Sequence, residues 1–90
     1  MKPGFYSPIH PGEVIKKEIQ SSGHTIQEAA DAIGIARKNL SFILNGHYSL
    51  TAEMAVRVSK ALGGSPAFWL NMQMNWDLSQ IDTSKLKIKS

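Results

Sequence analysis

Apolar residues recur every three or four positions along most of the chain, which is the period of an amphipathic helix. Glycine and proline interrupt this pattern at short intervals, so each helix is expected to be short. The residues at which helices are expected to begin are Pro11, Thr25, Ala36, Thr51 and Ser65. No alternating pattern typical of a strand competes before the C-terminal tail. The predicted fold is therefore all-α, with five helices.

The second and third predicted helices are separated by a very short connection. Thr25 and Glu28 have the spacing of a capping box, in which each side chain accepts from the other residue's free backbone N–H. Gly34 ends this second helix because glycine readily adopts the left-handed conformation of a sharp helix exit. Ala30 is a small residue at the expected crossing of the two helices. This arrangement predicts a helix-turn-helix motif, whose second helix can enter the major groove of DNA.

The third helix, about Arg37 to Asn45, is the expected recognition helix. Leu40, Ile43 and Leu44 form its apolar face. The polar face and the following loop supply the candidate DNA-binding residues, which are Arg37, Lys38, Asn39, Ser41, Phe42, Asn45, His47 and Tyr48. Arginine can pair with guanine, and asparagine can pair with adenine or bind a phosphate oxygen. The alternative for the charged residues is an ordinary solvated surface.

Phe42 does not fit the apolar stripe of this helix, because its position places it beside the polar residues. Its ring could contact a thymine methyl group or pack against Tyr48, and packing is the preferred interpretation. His47 and Tyr48 are candidate phosphate contacts, with a simple polar surface loop as the alternative.

The distribution of charge agrees with a polyanionic partner. The chain has 10 Lys and Arg against 7 Asp and Glu, which gives a net charge of +3 and a pI near 9.4. Neither Asp nor Glu occurs between Ala32 and Ala52. This stretch, which contains the third helix, can therefore face phosphates without an opposing charge.

Composition argues against several other classes of protein. The chain has no cysteine, so disulfides and thiolate zinc sites are excluded. Its three histidines, His10, His24 and His47, are scattered, and no spacing typical of a metal or catalytic site appears. We expect no enzymatic activity, no cofactor and no metal. Because neither a signal peptide nor a membrane-spanning run is found, a soluble cytoplasmic protein is expected.

The fifth predicted helix carries more large apolar side chains than a small bundle can bury. The residues expected at a dimer interface are Phe68, Trp69, Met72 and Trp76. The alternative is that all of them belong to the core. A symmetric homodimer would hold two recognition helices about 34 Å apart, which predicts a palindromic site in double-stranded DNA.

The expected domain organisation has three parts. Residues 1–8 would form a flexible N-terminal arm, residues 9–78 the helix-turn-helix domain, and residues 79–90 a basic C-terminal tail. The tail contains the alternating run Lys85-Leu86-Lys87-Ile88-Lys89. Either end could add to a strand of a partner protein, although fraying is the simpler expectation.

Three segments in order resemble the HigA antitoxins, which are members of the Xre-type, lambda-repressor-like helix-turn-helix group. They are Ile9-His10-Pro11-Gly12-Glu13, Leu40-Ser41-Phe42-Ile43-Leu44-Asn45-Gly46 and Ser65-Pro66-Ala67-Phe68-Trp69-Leu70-Asn71-Met72-Gln73. Trp76-Asp77-Leu78 follows where the family has an aromatic-Asp-Leu ending. The resemblance implies an antitoxin of a type II toxin-antitoxin module. Such a protein neutralises a RelE-like ribosome-dependent mRNA endonuclease and, as a dimer, represses its own operon.

Two positions depart from the wider Xre pattern. Ile26 stands where that group usually has a glutamine that bonds the DNA backbone, and Ala36 replaces the serine that usually caps the recognition helix. Both departures remove potential phosphate contacts. Two alternatives therefore stay open, a helix-turn-helix transcriptional repressor without a toxin partner and a protein-interaction module that has lost DNA binding.

Overall fold

Five α-helices follow one another in the computed structural model, which describes residues 8–81 of the chain. They are α1 (Pro11–Ser22), α2 (Ile26–Ile33), α3 (Arg37–Leu44), α4 (Ala52–Leu62) and α5 (Pro66–Ser79). The predicted all-α fold is confirmed, and each helix begins within one residue of its predicted start. The alternating run in the C-terminal tail and nearly all of the predicted N-terminal arm lie outside the described residues.

The helix starts are determined by local side-chain hydrogen bonds. The Thr25 hydroxyl accepts from the Glu28 backbone N–H at 3.1 Å, and the Glu28 carboxylate accepts from the Thr25 N–H at 2.8 Å. That backbone N–H lowers the pKa of Glu28 by stabilising the charged form. Hydroxyl groups also cap α4 and α5. The Thr51 hydroxyl accepts from the Met54 N–H, and the Ser65 hydroxyl accepts from the Phe68 N–H. The predicted capping box is thereby confirmed.

The start of α1 lies directly against the end of α3. His10 precedes the helix, and its Nδ1 accepts from the Gly12 backbone N–H at 2.9 Å. Pro11 occupies the first turn, where its missing N–H and fixed φ are compatible with a helix. Gly12 has no β-carbon, and one built there would overlap the carbonyl oxygen of Ile43. The two helices can approach this closely only because position 12 is glycine.

One apolar core joins all five helices. Its fully buried side chains include Ile15, Ala30, Leu40, Ala55 and Val58, one from each of the first three helices and two from α4. Burying each larger aliphatic side chain contributes about 1.5–3 kcal/mol. α3 packs against α1 and α2, while α4 packs against α2 and α5. The buried face of α3 therefore contacts two other helices.

Trp69 of α5 belongs to this core, with only 3% of its surface exposed. Its indole N–H donates to the Gly63 carbonyl at 3.0 Å, which satisfies the polar end of the side chain. This corrects the expectation that Trp69 contributes to a dimer interface, because almost none of its surface is available to a partner. Met72 and Trp76 are half-buried, and Phe68 is 49% exposed.

Three large apolar side chains of α5 are exposed. Met74 and Leu78 are 52% and 61% exposed, in addition to Phe68. Large apolar side chains exposed close together usually mark a contact with another protein. None of the described helices is both long and apolar enough to cross a membrane.

Candidate nucleic-acid interface

The turn between α2 and α3 determines how α3 is placed against α2. Gly34 has a φ of 86°, in the left-handed region that favours glycine. Its N–H and that of Ile35 both donate to the Ala30 carbonyl, at 2.8 and 3.0 Å. Ala30 itself is completely buried, as expected for a small residue at a helix crossing. The predicted helix-turn-helix geometry is confirmed.

Arg57 of α4 holds this turn from the other side, a contact that the sequence did not indicate. Its Nη1 lies 3.4 Å from the carbonyl oxygens of both Ile33 and Gly34, where α2 leaves its last carbonyl groups without helical partners. The Glu53 carboxylate binds the same guanidinium at 3.0 Å. Arg57 is thus a structural residue of the turn, and no local spacing rule connects residues 24 positions apart.

The outward face of α3 is polar and carries no acidic residue. Arg37, Lys38, Asn39 and Asn45 are exposed, while Leu40 and Ile43 on the opposite face are buried. Neither Arg37 nor Lys38 takes part in an ion pair within residues 8–81. Their charges are therefore available to an external anion.

Ala36 is the N-cap of α3 and makes no side-chain capping bond. Its φ of −68° and ψ of 145° are the extended conformation that a serine cap also adopts. The free backbone N–H groups of the first turn of α3 are consequently left to solvent or to a bound anion.

Phe42 packs against the loop that follows α3. Its ring centroid lies 5.0 Å from that of Tyr48 and 6.1 Å from that of His47, and the Lys38 Nζ lies 5.9 Å from the same ring. The interpretation that Phe42 packs against Tyr48 is confirmed. Lys38 gains a cation–π contact that favours a position over this ring.

The loop from Asn45 to Leu50 folds back onto α3. The N–H groups of His47 and Tyr48 both donate to the Phe42 carbonyl, at 2.8 and 3.3 Å. His47, Tyr48 and Ser49 are exposed, so their side chains extend the polar face of α3. A groove of about 360 Å³ runs beside them, lined by Asn39, Ile43, His47, Tyr48, Ser49, Thr51 and Met54. Three of the predicted DNA-binding residues, Asn39 of the helix and His47 and Tyr48 of the loop, thus line one groove. Ser41 lies further inward than the exposed residues of this set, since it is half-buried.

The far end of the same loop is held by α5. The Leu50 N–H donates to Gln73 Oε1 at 2.7 Å, and both residues are buried. Gln73 Nε2 in turn donates to the Asp77 carboxylate at 2.9 Å. Sequence patterns did not single out Gln73. The hydrogen bond to Leu50 joins residues 23 positions apart, so no local pattern signals it.

His10 lies behind α3, where α1 and α5 meet. Its ring stacks edge-on against Trp76 with centroids 5.5 Å apart. Burial lowers the pKa of His10, and the nearby carboxylates of Asp77 and Glu13 act in the opposite direction. A neutral ring is required here, because Nδ1 must accept the Gly12 N–H. His10 thus caps the start of α1, and Glu13 lies in the first turn of the same helix.

Within the described residues, no three His, Asp or Glu side chains come together as potential metal ligands. The chemistry of this surface is that of hydrogen-bond donors and positive charge on a projecting helix. Such a surface can bind phosphates and the edges of bases.

Comparison with known proteins places this geometry in a family. Residues 15–69 match the family model described as helix-turn-helix. Antitoxin HigA-1 of Vibrio cholerae is 40% identical over 72 residues, which cover 79% of this chain and 68% of that protein. Virulence-associated protein A' of Dichelobacter nodosus is 45% identical over 76 residues, 83% of this chain and 66% of that protein.

A solved structure shows the same fold. The Pseudomonas aeruginosa antitoxin HigA, whose structure was solved with the higBA promoter, has a TM-score of 0.75 and 27% identity over 81% of this chain and 80% of its own. The helix-turn-helix match spans more than half of the chain, and the similarity to HigA-1 spans more than two thirds of that antitoxin. The chain therefore belongs to the Xre-type helix-turn-helix family, and within it to the group of the HigA antitoxins.

Proposed function

We propose that this protein is an antitoxin that binds operator DNA through α3 and represses its own operon. The observation that carries the proposal is the exposed, acid-free face of α3, on which Arg37 and Lys38 have no ion-pair partner in the described part of the chain. The turn at Gly34 joins α2 and α3 as a helix-turn-helix, with this face of α3 exposed to solvent. The promoter bound to the Pseudomonas aeruginosa HigA supports the same use of the fold here.

The roles proposed for the side chains follow from their positions. Arg37, in the first turn of α3, is best placed to reach a guanine edge, since the N-terminal residues of a recognition helix meet bases first. Asn39 and Asn45 supply amides for adenine or for phosphate. Lys38, held near the Phe42 ring, together with the loop residues His47 and Tyr48, would bind the backbone phosphates.

A homodimer is the proposed binding unit. The exposed apolar face of α5, formed by Phe68, Met74 and Leu78, supports it, and the half-buried Met72 and Trp76 adjoin the inner side of this helix. Association through α5 would leave both copies of α3 free. Two such helices would read a palindromic operator in double-stranded DNA.

The second proposed partner is a cognate toxin of the RelE-like mRNA endonuclease type. This proposal rests on the group to which the chain belongs and on its similarity to a named antitoxin. Binding would occur in the cytoplasm, where both the operon and the ribosome are found.

The test has two arms on the full-length chain. In the first, the DNA upstream of its own gene is titrated with protein, and a protected palindrome is expected. In the second, the product of the adjacent gene is coexpressed, and coelution with loss of mRNA cleavage is expected. DNA protection without a toxic, coeluting partner would overturn the antitoxin assignment in favour of a plain transcriptional repressor. Absence of protection would overturn operator binding.

A further inference from the structure

Hydrogen bonds hold both ends of the loop between α3 and α4, one end to α3 and the other to α5. At its start, the His47 and Tyr48 N–H groups bond the Phe42 carbonyl of α3 itself. At its end, the Leu50 N–H bonds the Gln73 side chain, 23 residues further along the chain. The exposed part of this loop carries the residues that are proposed to bind phosphates. It lies between these two points of attachment, one on α3 and one on α5.

Gln73 is an unusual residue for its position. It is 4% exposed on the inner face of α5, where a leucine would fill similar space without a polar group to satisfy. Both ends of its amide have partners, Leu50 on one side and Asp77 on the other. A buried amide whose two ends are both hydrogen-bonded specifies one arrangement of the elements that it joins.

Asp77 determines which way this amide points. A carboxylate can only accept hydrogen bonds, and a backbone N–H can only donate them. Gln73 therefore has to turn Nε2 towards Asp77 and Oε1 towards Leu50, and the reverse orientation would leave both contacts repulsive. Asp77 itself lies near the end of α5 and is exposed, so its contact with Gln73 is not a consequence of burial of the Asp77 side chain.

Gln73 and Asp77 lie outside the segment 15–69 that matches the helix-turn-helix family model. The matched segment therefore includes Leu50 but neither of the two α5 residues of this contact. The contact connects α5, the helix with the exposed apolar face, to the residue directly before Thr51, which caps α4.

We propose that Gln73 and Asp77 are positioning residues for DNA binding, which hold the loop between α3 and α4 in the conformation that contacts phosphates. The inference rests on the proposed DNA binding. Its consequence is that the DNA surface is complete only while α5 is docked.

The first test replaces Gln73 by methionine, which keeps the size of the side chain and removes both hydrogen bonds. Hydrogen exchange at the Leu50 N–H is measured on the free protein, and acceleration relative to the core amides of α2 is expected. Operator affinity is expected to fall roughly tenfold, the equivalent of one hydrogen bond. The slope of log K against log salt is expected to decrease by about 1 for each phosphate that the loop no longer binds.

A matched pair of variants at Asp77 provides the second test. Asp77→Asn and Asp77→Ala remove the same charge, but only the asparagine can still accept from Gln73 Nε2. The comparison therefore isolates the hydrogen bond from the change in electrostatics. Asp77→Asn is expected to bind operator more tightly than Asp77→Ala and with the steeper salt dependence. Because Asp77 is exposed, both variants are expected to fold.

The outcomes separate this inference from the proposed function. Unchanged Leu50 exchange and an unchanged salt slope in Gln73→Met would overturn the role of Gln73. Equal operator affinities of Asp77→Asn and Asp77→Ala would overturn the role of Asp77. If Gln73→Met does not fold, this comparison of the two Asp77 variants tests the proposal instead. Failure of the wild-type protein to bind operator would instead contradict the proposed function, while the exchange measurement would still report on the loop.

Discussion

Gly12 lies so close to Ile43 that a β-carbon at position 12 would overlap the Ile43 carbonyl oxygen. The first turn of α1 is thereby held against the last turn of α3, the helix that is proposed to read DNA. His10 and Pro11 complete the same junction, one by capping α1 and the other by starting it. The run His10-Pro11-Gly12 is thus explained by the capping of α1 and by its close packing against α3.

Replacing Gly12 by alanine is expected to destabilise the protein by about 1–3 kcal/mol, the usual cost of forcing extra volume into a packed site. A Gly-to-Ala exchange inside a helix normally stabilises by about 0.5–1 kcal/mol, so the sign of the effect is diagnostic. Urea unfolding measures the difference. Gln20→Ala, at an exposed position of α1, is the control and is expected to have little effect. A Gly12→Ala protein as stable as wild type would refute the close contact.

The stability of the fold is expected to depend on the protonation of His10. Burial holds the pKa of His10 below its ordinary value of 6.5, so the unfolded chain binds this proton more readily than the folded one. The contribution of His10 to the free energy of unfolding should therefore change little above about pH 6.5. It should decrease as the pH falls from there through the folded-state pKa, by up to about 1.4 kcal/mol for each unit by which the pKa is lowered.

Thermal unfolding of wild type and of His10→Asn, at about pH 7.5 and about pH 5.5, checks this expectation. Asparagine is a good N-cap that does not titrate, so the variant keeps the bond to Gly12 and loses the pH dependence. Wild type should lose more stability than the variant on acidification. Parallel behaviour of the two proteins would show that another group is responsible.

A serine at position 36 is expected to stabilise the protein by about 1 kcal/mol, because α3 lacks a side-chain cap there. The backbone of Ala36 already has the conformation of a capping residue, and the new hydroxyl would accept from the Asn39 N–H. The melting temperature should rise by about 4–8 °C for each kcal/mol. Ala32→Ser, at an exposed position inside α2, is the matched control and should lower stability slightly. A loss of stability in Ala36→Ser would contradict the account of this cap.

The sequence predicted the features of the fold that depend on neighbouring residues. The capping box of Thr25 and Glu28, the turn at Gly34 and the start of α5 at Pro66 all follow from local hydrogen bonds and backbone preferences. The packing of Phe42 on Tyr48 could also be predicted, since the two residues are close in the chain. Each of these signals lies within about two helical turns.

The features that the sequence did not predict depend on contacts between residues far apart in the chain. Gln73 meets Leu50 across 23 positions, and Arg57 meets the end of α2 across 24. Trp69 was misplaced for a different reason. Apolar side chains are distributed around α5 without forming one stripe, so its periodicity does not show which face is inward. Only the packing of the folded chain, in which Trp69 is 3% exposed, assigns the indole to the core.

The central claim, that the exposed face of α3 reads DNA, is tested most directly by the operator affinity of Arg37→Ala. Lys60→Ala is the matched control, because it removes the same charge from the exposed last turn of α4. Each protein is titrated against the protected palindrome and against a scrambled duplex at fixed salt. We predict that Arg37→Ala loses about 1–3 kcal/mol on the palindrome and discriminates less between the two duplexes, while Lys60→Ala discriminates as wild type does. Wild-type affinity and discrimination in Arg37→Ala would contradict the account.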